Sequence, residues 1–86
     1  MADPYKGRAL QRQFGRVIRR HREHLKLSQE EFAERAEIHR TYVSSIELGK
    51  VHVGLGVAFK LAEALGVFLS RLIEEVEREP HSKAGN

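Results

Sequence analysis

The chain has 86 residues with two prolines, no cysteine and no tryptophan, which fits one small domain and excludes disulfide staples and thiolate metal sites. Its apolar runs are far too short for a transmembrane helix, and Met1-Ala2-Asp3-Pro4 lacks the apolar stretch of a signal peptide, so a cytoplasmic protein with no membrane association is expected. Charge is local: residues 6–26 carry eight Lys and Arg against Glu23 alone, whereas from 51 onward four positive side chains face five negative ones. That basic stretch suits either a patch facing a polyanion or a solvated helix face.

Residues 1–8 are expected to form a flexible arm. Leu10, Phe14, Val17, Ile18, His21 and Leu25 then recur at spacings of three and four, which predicts an amphipathic helix over 9–25. Its other face carries Arg12, Arg16 and Arg19 or Arg20. Ser28-Gln29-Glu30-Glu31 is a capping box that opens a second helix, 29–36, with Phe32, Ala33 and Ala36 inward. After a break at Glu37-Ile38-His39, a third helix runs over 40–48 with Val43 and Ile46 inward, and Gly49 closes it. A fourth helix, 55–65, carries Leu55, Ala58, Phe59, Ala62 and Leu65 and stops at Gly66. A fifth, 69–78, carries Leu69, Leu72, Ile73 and Val76, and Pro80 begins a polar tail, 79–86, expected to be disordered. The fold class is all-α, five helices, with one domain over 9–78.

The second and third helices and their tight connection have the make-up of a helix-turn-helix. Ala33 and Ala36 allow close approach, Ile38 plugs the turn, and Val43 and Ile46 anchor the third helix. Arg40, Thr41, Ser44 and Ser45 are left on one outward stripe. A face selected for solubility alone usually carries Glu and Lys. One Arg with short hydroxyls instead suits base edges in the major groove, with one or two of the four touching only phosphate.

With those residues in place, the chain resembles the Cro/repressor-like helix-turn-helix (Xre) family over roughly residues 12–76. The resemblance lies in Ile18-Arg19-Arg20-His21-Arg22, Leu27-Ser28-Gln29-Glu30-Glu31-Phe32-Ala33, Tyr42-Val43-Ser44-Ser45-Ile46-Glu47-Leu48-Gly49 and Leu61-Ala62-Glu63-Ala64-Leu65-Gly66-Val67. Within the family, Arg40-Thr41-Tyr42-Val43-Ser44 and Lys50-Val51-His52-Val53 are similar to the controller proteins of restriction–modification systems. The resemblance implies a compact lambda-repressor-like domain that binds double-stranded DNA. It implies phosphate contacts from Ser28, Gln29, Lys50 and His52. Tyr42 either places its hydroxyl on a phosphate or covers the helix pair with its ring. It also implies a buried structural ion pair between Arg22 and Glu47. Three residues depart from the family pattern: Glu37 stands where Gly is usual in the turn, Gly54 where Ser or Thr caps the fourth helix, and Phe68 where a capping Ser or a Pro is common.

These readings converge on a sequence-specific transcriptional regulator that occupies an operator as a homodimer. Phe68, Leu69, Leu72, Ile73 and Val76 of the fifth helix are the expected dimer interface, because so short a helix offers more apolar surface than the core can bury. A protein–protein adaptor or antitoxin module on the same fold is the rival from another class. It would carry apolar residues where Arg40, Thr41 and Ser44 stand. Nonspecific nucleoid binding is a third reading. His21 and His24 have a ligand-like spacing, but no Cys or carboxylate pair completes a site, so no metal or other cofactor is expected. No His stands at a catalytic spacing from Ser44 or Ser45, and Glu74, Glu75, Glu77 and Glu79 have the pattern of a solvated face. An enzyme is not expected, nor a small-molecule ligand.

Overall fold

A computed structural model describes residues 8–78. The expected N-terminal arm and polar tail lie outside the described residues, apart from Arg8. Every regular element among the described residues is α-helical: α1 (Ala9–His24), α2 (Gln29–Ala36), α3 (Arg40–Glu47), α4 (Leu55–Leu65) and α5 (Leu69–Glu77). The boundaries match the periodicity to within one residue at three C-terminal ends. None of these helices is long and apolar enough to cross a membrane.

One core serves all five helices. Val17 and Ile18 of α1, Phe32 of α2, Val43 and Ile46 of α3, Leu61 of α4, and Leu72 and Val76 of α5 are all essentially buried. The apolar stripe of each helix points to this common centre, which is what makes helices this short stable at all. Two flanks were misjudged from periodicity. Leu10 and Leu25 are each 43% exposed, at the two ends of α1, where its neighbours cover them only in part. On α4 the buried arc is Ala58, Leu61, Ala62 and Leu65, which leaves Leu55 and Phe59 on its outer edge and largely in solvent.

Two close backbone approaches set where α3 sits. A Cβ at Gly15 would overlap the carbonyl oxygen of Ile46 and lie 2.7 Å from that of Glu47, so α1 rests directly on the last turn of α3. Gly49, with φ of +72°, both reverses the chain after α3 and leaves room for Arg12, whose Cγ would lie 2.6 Å from an added Cβ. The α2–α3 turn is less relaxed. Glu37 adopts φ 59° and ψ 42°, the left-handed conformation that Gly would hold without steric cost. Its N–H still bonds the carbonyl of Glu34 and that of Ile38 bonds Ala33, so the turn keeps its geometry despite the substitution.

A second tie joins α1 to α5. The His21 Nε2 donates to the Glu75 carboxylate at 2.9 Å, Arg20 Nη2 approaches it at 3.3 Å, and Arg71 at 3.5 Å. Burial pushes the Glu75 carboxyl up, but the bonds from His21 and Arg20 outweigh it and hold the group below the usual carboxylate range. His21 is thus a bonded residue at the core edge, and His24 faces solvent.

Backbone effects at Gly15 and Glu37 have opposite signs. Gly15→Ala is expected to destabilise the fold by about 1–3 kcal/mol, since rigid carbonyls block the new methyl. Glu37→Gly is expected to stabilise it by about 1 kcal/mol through relief of the left-handed cost. Urea denaturation followed by circular dichroism measures both, and stabilisation in the first variant or destabilisation in the second contradicts this account.

Candidate nucleic-acid interface

The site is built on α3, and its geometry begins beneath it. Glu47, in the last turn of α3, is buried and receives both Nε of Arg22 at 2.6 Å and Nη2 at 3.1 Å, a bidentate ion pair. The third guanidinium nitrogen, Nη1, donates to the carbonyl of Leu27 at 2.7 Å, at the α1–α2 junction. Gln29 Nε2 donates to Glu47 Oε1 at 3.0 Å. One carboxylate therefore gathers α1, α2 and α3. The hydrogen bonds that Arg22 donates to Glu47, ahead of the Glu47 charge, hold its guanidinium above its already high value, and burial only partly opposes this. The ion pair implied by the family resemblance is present.

Gln29 is better placed in this network than on a phosphate alone, because one of its two amide hydrogens is committed to Glu47. Only the other remains for an outside acceptor. Ser28 caps α2: its Oγ accepts from the N–H of Glu31 at 2.9 Å, and Glu31 Oε1 accepts from the Ser28 N–H at 2.8 Å. The Ser28 backbone bond, with help from its hydroxyl, lowers the Glu31 carboxyl pKa.

The outward stripe of α3 carries the residues that the spacing predicts. Arg40 and Thr41 are exposed, and Ser44 and Ser45 are half-buried on the same face. His39 precedes them and caps the helix, its Nδ1 accepting from the N–H of Thr41 at 3.1 Å. Sequence reasoning passed over His39 because an N-cap is normally sought among Ser, Thr, Asp and Asn. Tyr42 packs half-buried against the core, which favours the ring-covering role left open for it. Lys50 is exposed just beyond the end of α3.

Two expected contacts are redirected. His52 turns to α1, where Gln11 Nε2 lies 3.1 Å from its Nδ1, and it lines an apolar groove with Leu10, Val53, Leu55 and Ile73. It is not brought to the α3 stripe, because apolar Val51 and Val53 on either side pack against the core and aim the loop inward. The basic stretch of α1 is also partly consumed: Arg19 pairs with Glu23 at 3.0 Å, Arg20 with Glu75, and Arg22 with Glu47. Counting charges along the chain overstated the cationic surface, since the carboxylate partners of Arg20 and Arg22 lie far off in sequence.

The comparisons agree with this geometry. The helix-turn-helix family pattern matches residues 18–72, from the middle of α1 into α5. The chain belongs to the Cro/repressor-like helix-turn-helix family. It is 43% identical over 67 residues to the control protein C.MunI of a Mycoplasma species, an alignment that covers 77% of this chain and 90% of that protein. The crystal structure of the restriction–modification controller protein C.AhdI from Aeromonas hydrophila is similar to it with a TM-score of 0.71 and 35% identity, over 72% of this chain and 94% of that one. The clp gene regulator ClgR from Corynebacterium glutamicum shares the fold with a TM-score of 0.81 at 22% identity, over 88% and 81% of the two chains. This helix-turn-helix protein is thus a DNA-binding regulator whose relatives include controller proteins.

The ion pair beneath the helix-turn-helix gives a direct test. Glu47→Ala is expected to cost about 3–5 kcal/mol, because it strands the buried Arg22 charge. The double replacement Arg22→Met with Glu47→Leu is expected to recover most of that loss, since an apolar pair needs no compensation. Thermal and urea unfolding of the three proteins decides it: a double variant no better than Glu47→Ala refutes the stranded-charge explanation.

Proposed function

We propose that this regulator recognises a specific operator as a two-fold dimer, with α3 in the major groove, and acts by blocking or recruiting polymerase without catalysis of its own. The observation that carries the reading is the outward α3 stripe, where Arg40, Thr41, Ser44 and Ser45 present donors and acceptors and the single exposed apolar side chain is Leu48 at its C-terminal end. An adaptor surface calls for the reverse, so the stripe favours DNA over a protein partner. The kinship with C.MunI and C.AhdI, a control protein and a restriction–modification controller by name, supports the same assignment. Arg40 can pair bidentately with guanine, while Lys50, Ser28 and the second amide hydrogen of Gln29 supply phosphate contacts.

The dimer face needs revision. Leu72 and Val76 are 0% and 2% exposed within a single copy, so they belong to its own core and leave the interface. They turn inward because they share the arc of α5 that faces α1. What remains outside is Phe68, 84% exposed at the start of α5, with Ile73 and half-buried Leu69, joined by Phe59 and Leu55 of α4. An apolar face of this kind is costly to leave in water, and a second copy that covers it would also set two recognition helices about 34 Å apart on one DNA face.

Three measurements test these statements. Log affinity for operator is expected to fall with log salt by about 0.9 per neutralised phosphate. Arg40→Ala should cost about 1–3 kcal/mol and relax one base position per half-site, whereas Lys50→Ala should weaken all sequences alike. Affinity that is flat with salt, or uniform weakening by Arg40→Ala, contradicts the assignment. Phe68→Ser with Ile73→Asp is expected to give a monomer by sedimentation and to lose tight operator binding. A parent protein that is monomeric at micromolar concentration, or a double variant that stays dimeric, rules out this interface.

A further inference from the structure

The cap at the start of α3 has a chemical consequence for how the helix reads DNA. The N–H of Thr41 donates to His39 Nδ1 at 3.1 Å, and the Thr41 hydroxyl oxygen lies 2.7 Å from the same nitrogen. A peptide N–H can only donate, so Nδ1 must present its lone pair, and the neutral ring carries its proton on Nε2. Facing a bare acceptor at hydrogen-bond distance, the Thr41 hydroxyl can only donate to it. Its hydrogen is thus committed inside the protein, and the exposed side of Oγ1 offers lone pairs alone. A threonine without such a neighbour rotates its hydroxyl to donate or accept as the partner requires. This one is restricted to accepting.

We infer that His39 is a positioning residue that makes Thr41 a one-way hydrogen-bond acceptor, and so selects a base with an exocyclic amino group in the major groove: adenine through N6 or cytosine through N4. At thymine the outward atom is O4, and at guanine O6 and N7, so Thr41 would set lone pair against lone pair. Arg40 beside it has the opposite polarity, with donors only, and suits guanine. Adjacent residues of the stripe thereby discriminate in opposite senses, although neither His39 nor its ring need touch a base. The inference rests on the DNA-reading role of α3 proposed above.

The test is selection of bound sequences from a random DNA pool by the full chain and three variants, each checked for folding by circular dichroism. In the parent protein, one position in each half-site should favour adenine or cytosine over guanine and thymine by about fivefold, the weight of one hydrogen bond. Thr41→Val should erase that preference. His39→Gly keeps a serviceable cap but frees the hydroxyl, so the position should relax to about twofold or less. His39→Asn places Oδ1 where Nδ1 stood and should restore the preference, an outcome that loss of helix stability cannot mimic. A parent preference for guanine or thymine at the Thr41-dependent position overturns the inference, as does an unchanged preference in His39→Gly. A parent chain that retains all pool members alike instead overturns the DNA-reading role itself, and does so before any variant is compared.

Discussion

The placement of α3 depends on one buried carboxylate. Glu47 sits in the last turn of α3 and is held by Arg22 from α1 and Gln29 from α2, while Arg22 also reaches the carbonyl of Leu27. Taking two charges out of water costs several kcal/mol per ion, and attraction offsets this only when the geometry is close and the remaining donors are satisfied. Here the bidentate contact and the two extra hydrogen bonds meet that condition. The consequence is directional: a carboxylate held from both α1 and α2 restricts the rotation of α3, so its outward stripe is presented in one orientation. Buried ion pairs are weak evidence for net stability, and this one is better understood as fixing geometry than as strengthening the fold.

The other contacts around α3 follow from that constraint. Arg22 can reach Glu47 only if α1 lies close to the end of α3, and the lack of a side chain at Gly15 permits this approach to the carbonyls of Ile46 and Glu47. Gly49 then clears space for Arg12 as the chain leaves the helix. Polar groups at the helix starts are used sparingly. Ser28 caps α2 with Glu31, and His39 caps α3, so exposed N-terminal amides are bonded without obstructing the stripe. Glu37 is one of two left-handed non-glycine residues among those described, with Lys26, and it is tolerated because the flanking Phe32, Ala33, Ala36, Val43 and Ile46 are buried and hold the two helices from either side.

Around this rigid centre the surface divides by chemistry. The α3 face is hydroxylic and cationic, whereas the α4–α5 face carries Leu55, Phe59, Phe68 and Ile73 in solvent. Arg20 and His21 meet Glu75 between α1 and α5, so the helix that carries Ile73 is tied to the same α1 that positions α3. The two faces therefore share a common frame, and the α4–α5 face bears a fixed relation to the outward stripe of α3.

Much of this was legible in the sequence because it is written in local, periodic signals. Apolar spacing of three and four located all five helices, and the Ser28–Glu31 capping box and the left-handed Gly49 and Gly66 marked their ends. The outward residues of α3 followed from the same periodicity, and the Arg22–Glu47 pair from the family resemblance. What could not be read was anything decided by the angle between helices. Periodicity says which residues are apolar on a helix but not how wide an arc its neighbours cover, so Leu55 and Phe59 were placed inward and Leu72 and Val76 at an interface. Nor does it report partners distant in sequence: only packing brings Glu75 to Arg20 and His21, Gln11 to His52, and Gln29 to Glu47. The sequence by itself determined the helices, the Ser28–Glu31 cap, the glycine stops and the polar stripe, because those depend on interactions within a few residues. Tertiary structure alone decided which arginines meet carboxylates distant in sequence and which apolar side chains stay in water, because both depend on surfaces that meet only when the five helices pack.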